Sequence, residues 1–163
     1  MTDNKYHFFL NGPFCQWEDS PMKIDSIQFG CAEQYMMFMK AATFEDWEVA
    51  ARIMKTDKPY EQKQLGRMVR GFDEATWNGG GEDSLAWMIV QKASRAKFEQ
   101  NEDLLEDLEH TIGQELVEAS PVDPIWGIGL DEWDPRRFDK NLWEGTNWLG
   151  RILTQTRIEM IGA

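Results

Sequence analysis

The stretch CAEQYMMFMKAATF, residues 31–44, predicts the helix around which this chain folds. Its apolar residues leave the helix almost no polar face: Ala32, Tyr35, Met36, Met37, Phe38, Met39, Ala41 and Ala42. A helix that is apolar nearly all round is a buried one. The stretch nevertheless contains one acid, Glu33, and one base, Lys40. At 100° per residue, seven residues place these two about 20° apart around the axis, so they share a face two turns apart.

The spacing alone leaves two interpretations of Glu33 and Lys40 open. They form a salt bridge or reach independently toward water, or they carry chemistry. Buried charges are costly unless they are paired or used, and the apolar surroundings argue against an exposed face. A desolvated lysine loses its proton near neutral pH and becomes a nucleophile toward a carbonyl carbon. A glutamate in the same pocket serves as a general acid or base.

The whole pattern predicts a mainly helical α+β fold, with residues 1–163 as one domain around one core. Short strands are expected after residue 6, near residues 23–29 and at ELVE, residues 115–118. Helices are expected over residues 31–54, 57–69, 84–100, 102–110 and 146–161, with Trp47, Ala50, Ala51 and Met54 as the buried stripe of residues 44–54. Residues 119–145 are rich in Pro, Gly, Asp and Trp, and a loop of this length is usually functional.

Composition excludes several classes of function. The net charge of -12 repels phosphates at long range, so we expect no tight binding to unmodified nucleic acid. No segment approaches the roughly 20 apolar residues of a membrane span, and the first residues do not resemble a secretory signal. Two cysteines, Cys15 and Cys31, are expected to be reduced, which predicts a cytoplasmic protein. His7 and His110 are isolated in the sequence, so no metal site is expected.

Tryptophan is abundant, with eight residues in the chain. Five of them fall in turn-like segments: Trp17, Trp77, Trp126, Trp133 and Trp143. They either cap a small core, since tryptophan is often only partly buried, or form a stacking surface for a planar ligand such as a base.

Two further segments combine residue types that bind nucleotides. RAKFEQN, residues 95–101, places Arg95 and Lys97 among apolar helix positions, where they form either a solvated face or a phosphate contact. SPVDPIWGIGL, residues 120–130, joins the carboxylate of Asp123 to the indole of Trp126. Its glycines, Gly127 and Gly129, permit close approach of a ligand.

Five motifs in this order resemble the signatures of the YbiA-like NADAR superfamily: FGCAEQYMMFMKA, LGRMVRGFDEATW, RAKFEQN, ELVEASPVDPIWGIGL and GTNWLGRIL. The resemblance extends over nearly the whole chain and implies a compact α+β domain that cleaves N-glycosidic bonds. One branch of the family hydrolyses ribosylamino-pyrimidine intermediates of riboflavin synthesis, and another removes ADP-ribose from guanine bases.

The resemblance also assigns residues. The motif glutamate falls on Glu33, the lysine on Lys40, the central tryptophan on Trp77, the acid on Asp123, and the remaining motif positions on Trp126, Gly127, Gly145 and Asn147. Many members have His after the glutamate, where this chain has Gln34, and the segment PFCQWEDSPM departs from the common pattern.

We therefore predict an N-glycosidase that acts on a phosphorylated ribose joined to a base, with no cofactor. Its expected catalytic residues are Glu33, Lys40 and Asp123. The expected substrate-binding residues are Trp17, Trp77, Arg95, Lys97, Phe98, Trp126, Gly127, Gly129 and Asn147. Glu33, Lys40, Trp77, Asp123 and Trp126 are expected to line one pocket. The alternative function is a non-catalytic module that binds ADP-ribose or a related nucleotide.

Overall fold

The computed structural model describes residues 5–163, which divide into two compact units. The first unit contains residues 5–15 and Glu102–Ala163, and the second contains Gln16–Asn101. Seven helices and four short strands in the described residues confirm the predicted mainly helical α+β class. The expectation that residues 1–163 form one domain stays a prediction. None of the helices in residues 5–163 is long and apolar enough to cross a membrane.

The regular elements follow one another along the chain with short connections. In order they are β1 (Tyr6–Phe9), β2 (Met22–Ile24), β3 (Ile27–Phe29), α1 (Ala32–Thr43), α2 (Trp47–Lys55), α3 (Pro59–Gly66), α4 (Glu74–Asn78), α5 (Leu85–Glu99), α6 (Glu102–Glu109), β4 (Glu115–Glu118) and α7 (Trp148–Met160). Single 3₁₀ turns occur at Gly81–Asp83, Pro135–Phe138 and Lys140–Leu142.

In the second unit, α1 is the central helix, as its apolar sequence predicted. It packs against α2, α3, α5 and β3, and every residue from Ala32 to Met37 is buried. Gly66 at the end of α3 lies against Met37, so closely that a Cβ on the glycine would collide with the methionine sulfur. The absence of a side chain at Gly66 therefore sets how near α3 approaches α1.

The predicted continuation of this helix through Phe44 to Met54 is wrong. Glu45 has a positive φ of 57°, which breaks the helix between α1 and α2. Asp46 begins the new helix, because its side chain accepts a hydrogen bond from the Val49 amide at 3.3 Å. The break rotates the buried stripe of α2, which consists of Val49, Ala50 and Ile53. Trp47, predicted to be buried, is 59% exposed.

Three more elements differ from the prediction. The single strand expected near residues 23–29 is a hairpin of β2 and β3, because Asp25 and Ser26 take up positive φ angles of 51° and 70°. The third helix ends at Gly66 rather than at Val69. Trp77 lies on α4 and is buried, not in a loop.

In the first unit, β1 and β4 pair in parallel, with Tyr6 opposite Glu115 and Phe9 opposite Glu118. The strand predicted from ELVE is thus confirmed. Its buried Val117 packs in a cluster with Tyr6, Ile128 and Leu130. The other edge of β4 lies against α7, and residues 119–145 contain no strand or α-helix, as expected.

Candidate active site

Glu33 and Lys40 lie on the buried helix α1 and differ in exposure. Glu33 is 7% exposed, whereas Lys40 is half-buried. Burial lowers the pKa of the Lys40 ammonium, the Glu33 carboxylate opposes this shift, and Arg67 adds to it. Burial is the largest of the three causes, so Lys40 loses its proton more readily than a lysine in water. The two side chains interact electrostatically across two turns of the helix.

The Lys40 ammonium also faces an aromatic ring. Its Nζ atom lies 4.4 Å from the centroid of the Phe72 ring, a cation–π distance. Phe72 in turn makes an edge contact with Phe44 at 5.4 Å between ring centroids. Phe72 is 42% exposed, so the Lys40 side of α1 ends at an aromatic, partly open surface.

A second group of charges surrounds the N-terminus of α1. Burial raises the pKa of the Cys31 thiol to about 11; the charge of Glu33 adds to this rise and that of Lys97 opposes it. Cys31, Glu33 and Lys97 are all less than a tenth exposed. The Cys31 Sγ atom donates a hydrogen bond to Oε1 of Gln62 at 3.3 Å, so the thiol is held in its neutral form.

Gln34, where many family members have His, connects three segments through its amide. Its Oε1 accepts a hydrogen bond from the Gly30 amide at 2.8 Å. Its Nε2 donates to the carbonyl oxygens of Ile53 and Thr56, each at 3.2 Å. The Gln34 amide therefore ties the start of α1 to the end of α2, and its contacts give it a structural role in this chain.

The segment before β2 brings an indole close to Glu33. The Glu33 amide donates to the carbonyl oxygen of Gln16 at 3.0 Å. The next residue, Trp17, is 39% exposed, and the Lys63 ammonium lies 6.0 Å from its ring centroid. In the described residues, the buried Nε2 of Gln16 has no hydrogen-bond partner. Nothing in the sequence distinguishes Gln16 from a surface glutamine, so its position beside Glu33 was not predicted.

The remaining predicted residues of the second unit differ in exposure. Arg95 is exposed, and its Nε donates to Oε1 of Glu99 at 2.8 Å. Lys97 is 1% exposed and Phe98 is fully buried, with the Lys97 Nζ 5.4 Å from the Phe98 ring centroid. Trp77 is 4% exposed. Their substrate-binding roles stay predictions, and burial leaves Lys97 little access to a phosphate.

In the first unit, Asp123 shapes the turn that carries Trp126. Its Oδ1 accepts hydrogen bonds from the amides of Ile125 at 3.0 Å and Trp126 at 2.9 Å. The Trp126 ring meets the Trp148 ring edge to face, with centroids 5.4 Å apart. Both indoles are half-buried. The contact between the rings of Trp126 and Trp148 was not predicted, because the two residues are far apart in the chain.

The glycines of this unit allow backbone segments to cross. A Cβ on Gly127 would lie 2.9 Å from the Glu118 carbonyl oxygen, and one on Gly129 would lie 3.0 Å from Glu144. Gly129 also has a positive φ of 71°, which favours glycine. These glycines were predicted to admit a ligand; the structure shows that they admit neighbouring main chain, and the ligand role stays a prediction.

Asn147 is fully buried, and its side chain completes the outer edge of β4. Its Oδ1 accepts from the Glu118 amide at 3.0 Å, and its Nδ2 donates to the Leu116 carbonyl oxygen at 3.1 Å. The Leu116 amide donates to Oγ1 of Thr154 at 2.9 Å. Asn147 occupies the N-cap position of α7, but its side chain bonds to the strand rather than to the helix.

A pocket of about 410 Å³ opens in the first unit beside β1. Both histidines of the chain line it, together with Asn11, Asp107 and Glu132. Burial lowers the pKa of His7, so its imidazole is neutral at neutral pH. The two histidines, which are isolated in the sequence, thus line the same pocket. In residues 5–163, no group of three or more His, Cys, Asp or Glu residues is arranged to hold a metal ion.

Comparison with known proteins agrees with this fold. The NMR structure of the E. coli protein YbiA superposes with a TM-score of 0.73 over 98% of this chain and 87% of YbiA, at 24% identity, which shows a shared fold. N-glycosidase R617 of Acanthamoeba polyphaga mimivirus is 41% identical, over 98% of both chains. Protein irg-1 of Caenorhabditis elegans is also 41% identical, over 88% of this chain and 66% of its own length.

A plant relative has a metabolic name. The chloroplastic riboflavin biosynthesis protein PYRR of Zea mays is 32% identical over 71% of this chain, but only 16% of the maize protein is covered. The relatives named N-glycosidases support an N-glycosidase role, and hence hydrolase activity, for this chain. The chain belongs to the NADAR domain family, whose model matches residues 4–161.

Proposed function

We propose that the chain hydrolyses the N-glycosidic bond between a phosphorylated ribose and a purine-like or pyrimidine-like base. The observation that carries the proposal is the pair of Glu33 and Lys40 on one face of a buried helix, where burial lowers the lysine pKa. A carboxylate coupled to a readily deprotonated amine supplies the two groups that such a reaction needs: one that moves protons and one that attacks carbon.

Lys40 acts as the nucleophile in this proposal. A ribose joined to nitrogen opens at its ring oxygen to an imine at the anomeric carbon. The neutral Lys40 amine adds to that carbon, and the base leaves with its nitrogen after taking up a proton delivered through Glu33. The resulting lysine imine is then hydrolysed by water, which returns the free amine and releases the sugar. The sequence consumes one water and leaves the enzyme unchanged.

Direct hydrolysis is the simpler route at the same site. Glu33 would then remove a proton from water as it attacks the anomeric carbon, and Lys40 would contribute only its charge. The two routes differ in whether the sugar is ever bonded to the protein.

Aromatic side chains supply base recognition in the proposal. The Gln16 carbonyl oxygen accepts a hydrogen bond from the Glu33 amide, and Trp17 is the next residue in the chain. The Trp17 indole is exposed, and its ring can stack on a base. The unpartnered Gln16 Nε2 is a donor for a substrate oxygen. Trp77 and Phe98 are proposed as further contacts, and Arg95 as the phosphate contact, once it leaves Glu99. The predicted stacking role of Trp126, in the first unit, stays a separate proposal.

Two substrate types fit this proposal. The maize relative's name favours a ribosylamino-pyrimidine phosphate of riboflavin synthesis, and the resemblance to the NADAR superfamily also admits ADP-ribosylated guanine. Both substrates contain a phosphorylated ribose that is joined to a nitrogen atom of a base. The predicted catalytic role of Asp123 stays a proposal of its own, and no cofactor is required. We propose a cytoplasmic location, since a chain with only two cysteines is typical of a compartment that keeps thiols reduced.

The test is to incubate the purified protein with each substrate and to follow released base and sugar by chromatography and mass spectrometry. We expect release from at least one substrate, and a loss of release in the Glu33→Gln variant. Binding of both compounds without release would instead support the alternative, a non-catalytic nucleotide-binding module. Equal release by wild type and Glu33→Gln would refute the proposed site.

A further inference from the structure

Lys97 has a place in the structure that its predicted phosphate contact does not explain. It lies on α5, which packs against α1, and it is 1% exposed. A fully buried ammonium is costly unless an anion or a set of acceptors compensates it. Among the described residues of the second unit, the buried carboxylates are Glu33 and Asp46, and Asp46 pairs with Arg70 at 2.8 Å. Glu33 is therefore the buried acid that is left to compensate Lys97.

Hydrogen bonds place the last turn of α5 beside the start of α1. Asn101 Nδ2 donates to the carbonyl oxygens of Lys97 at 2.9 Å and Pro21 at 3.0 Å. The Ser20 amide donates to the carbonyl oxygen of Gly30 at 2.9 Å, and Cys31, the N-cap residue of α1, follows, with Glu33 in the first turn of the helix. The charges of Glu33 and Lys97 both act on the Cys31 thiol, and opposite charges with little water between them attract each other more strongly than in water.

We propose that Lys97 is the counter-cation of Glu33 and that it holds the Glu33 carboxylate ionised at neutral pH. This inference rests on the proposed function and deepens it, because it decides the role of Glu33. A carboxylate kept ionised starts the reaction as a base or as a stabiliser of positive charge on the sugar, not as an acid. Lys97 is therefore a positioning residue, which acts on the substrate through Glu33.

The other charged groups near α1 have different partners. Lys40, two turns along, faces Phe72 and also interacts with Arg67. From α5, Lys92 forms an ion pair with Asp25 at 2.9 Å. Both of these charges act on Tyr35. Burial raises the pKa of its hydroxyl, the Lys92 charge opposes this rise, and the Asp25 charge adds to it. Toward α2, the Gln34 amide donates to the carbonyl oxygen of Ile53, and toward α3, the Cys31 thiol donates to the neutral amide of Gln62.

The test is a ¹³C NMR titration of the Glu33 carboxyl carbon in the whole protein, with the signal assigned by its loss in Glu33→Gln. In wild type we expect the midpoint below that of a free glutamate, which is about 4.3. In Lys97→Met we expect the midpoint to rise by about one pH unit or more, since a close opposite charge shifts a carboxyl by about one to three units. Lys97→Arg should restore a low midpoint.

Lys92→Met is the matched control, because it removes an exposed cation from the same helix and should leave the Glu33 midpoint unchanged. A wild-type midpoint at or above the free value would overturn the proposal without any variant, so a Lys97→Met chain that fails to fold does not prevent the test. Equal midpoints in wild type and Lys97→Met would also overturn it.

Enzyme kinetics separates this inference from the proposed function. If wild type hydrolyses a substrate, the acidic limb of its kcat/KM profile should move to higher pH in Lys97→Met and return in Lys97→Arg. If wild type hydrolyses neither substrate, the proposed function fails, while the titration still decides whether Lys97 sets the charge of Glu33.

Discussion

The start of α1 and the segment from Asp123 to Asn147 both carry residues that the family resemblance singled out, but the fold uses them differently. In the segment, Asp123 and Asn147 bond to main-chain groups. On α1, burial lowers the pKa of Lys40 and the Glu33 carboxylate opposes this shift. Substitution of Asn147 should therefore change stability, whereas substitutions on α1 should change the reaction and its pH dependence.

Glu33→Gln is expected to have the largest effect of the variants that compare these two regions. The change keeps the volume of the side chain but removes its proton transfer, which is worth about a hundredfold to ten-thousandfold in rate. The melting temperature should fall, because the variant leaves the buried Lys97 ammonium without its proposed counter-anion, so the rates are compared at a temperature where both proteins are folded. Steady-state kinetics and thermal unfolding measure the two quantities. A loss of less than about tenfold in rate would remove Glu33 from the chemistry.

Lys40 offers an all-or-none test of the covalent route. Borohydride added during turnover should reduce the lysine imine and leave the sugar bonded to Lys40, which peptide mass spectrometry detects. Lys40→Arg should show no adduct, because the guanidinium stays protonated and cannot attack carbon. Lys63→Arg, on α3, serves as the control that keeps the adduct. Full turnover by Lys40→Ala would leave direct hydrolysis as the mechanism.

Asn147→Ala tests the other side of the comparison. It removes two hydrogen bonds and leaves the Glu118 amide and the Leu116 carbonyl unpaired at a buried strand edge. Each buried group left without a partner costs about 1–3 kcal/mol, so with two such groups the free energy of unfolding should fall by about 2–6 kcal/mol. Urea unfolding measures this change, with the exposed Asn141→Ala as control. An unchanged stability would contradict the account of the strand edge.

The Asp46 carboxylate makes a smaller, pH-dependent contribution within the second unit. Hydrogen bonds from the Arg70 side chain and amide hold the pKa of Asp46 well below its ordinary value of 3.8. A depressed pKa stabilises the fold above that value, and this stabilisation is lost as the pH falls below it. The difference in melting temperature between wild type and Arg70→Met should therefore be largest near pH 6–7 and shrink below about pH 4. The difference for Arg52→Met, exposed on α2, should not vary with pH.

The sequence predicted those parts of the fold that hydrophobic pattern determines. Helix α1 and strand β4 were both expected from apolar runs, and both are present. The hairpin of β2 and β3 and the break before α2 were not expected. Their turns depend on positive φ angles at Asp25, Ser26 and Glu45, where no glycine marks the turn in the sequence. Tertiary contacts hold these residues in a conformation that local propensity does not reveal.

The candidate site was predictable in its residue types but not in its partners. The charges of α1 were visible because they interrupt an apolar helix. The burial of Lys97 was not visible, since a lysine in an amphipathic helix usually faces water. The backbone contacts of Asn147 were also hidden, because an asparagine before a helix predicts an ordinary cap. In both cases the partner comes from an element distant in the sequence.

A double-mutant cycle of Glu33→Gln and Lys40→Ala, measured as kcat/KM at a temperature where all four proteins are folded, tests the central claim most directly. Residues that act as one catalytic unit give strongly non-additive losses. The account predicts that the double variant is about as slow as the slower single variant. If the two losses multiply instead, Glu33 and Lys40 contribute independently, and the proposed catalytic pair on α1 does not exist.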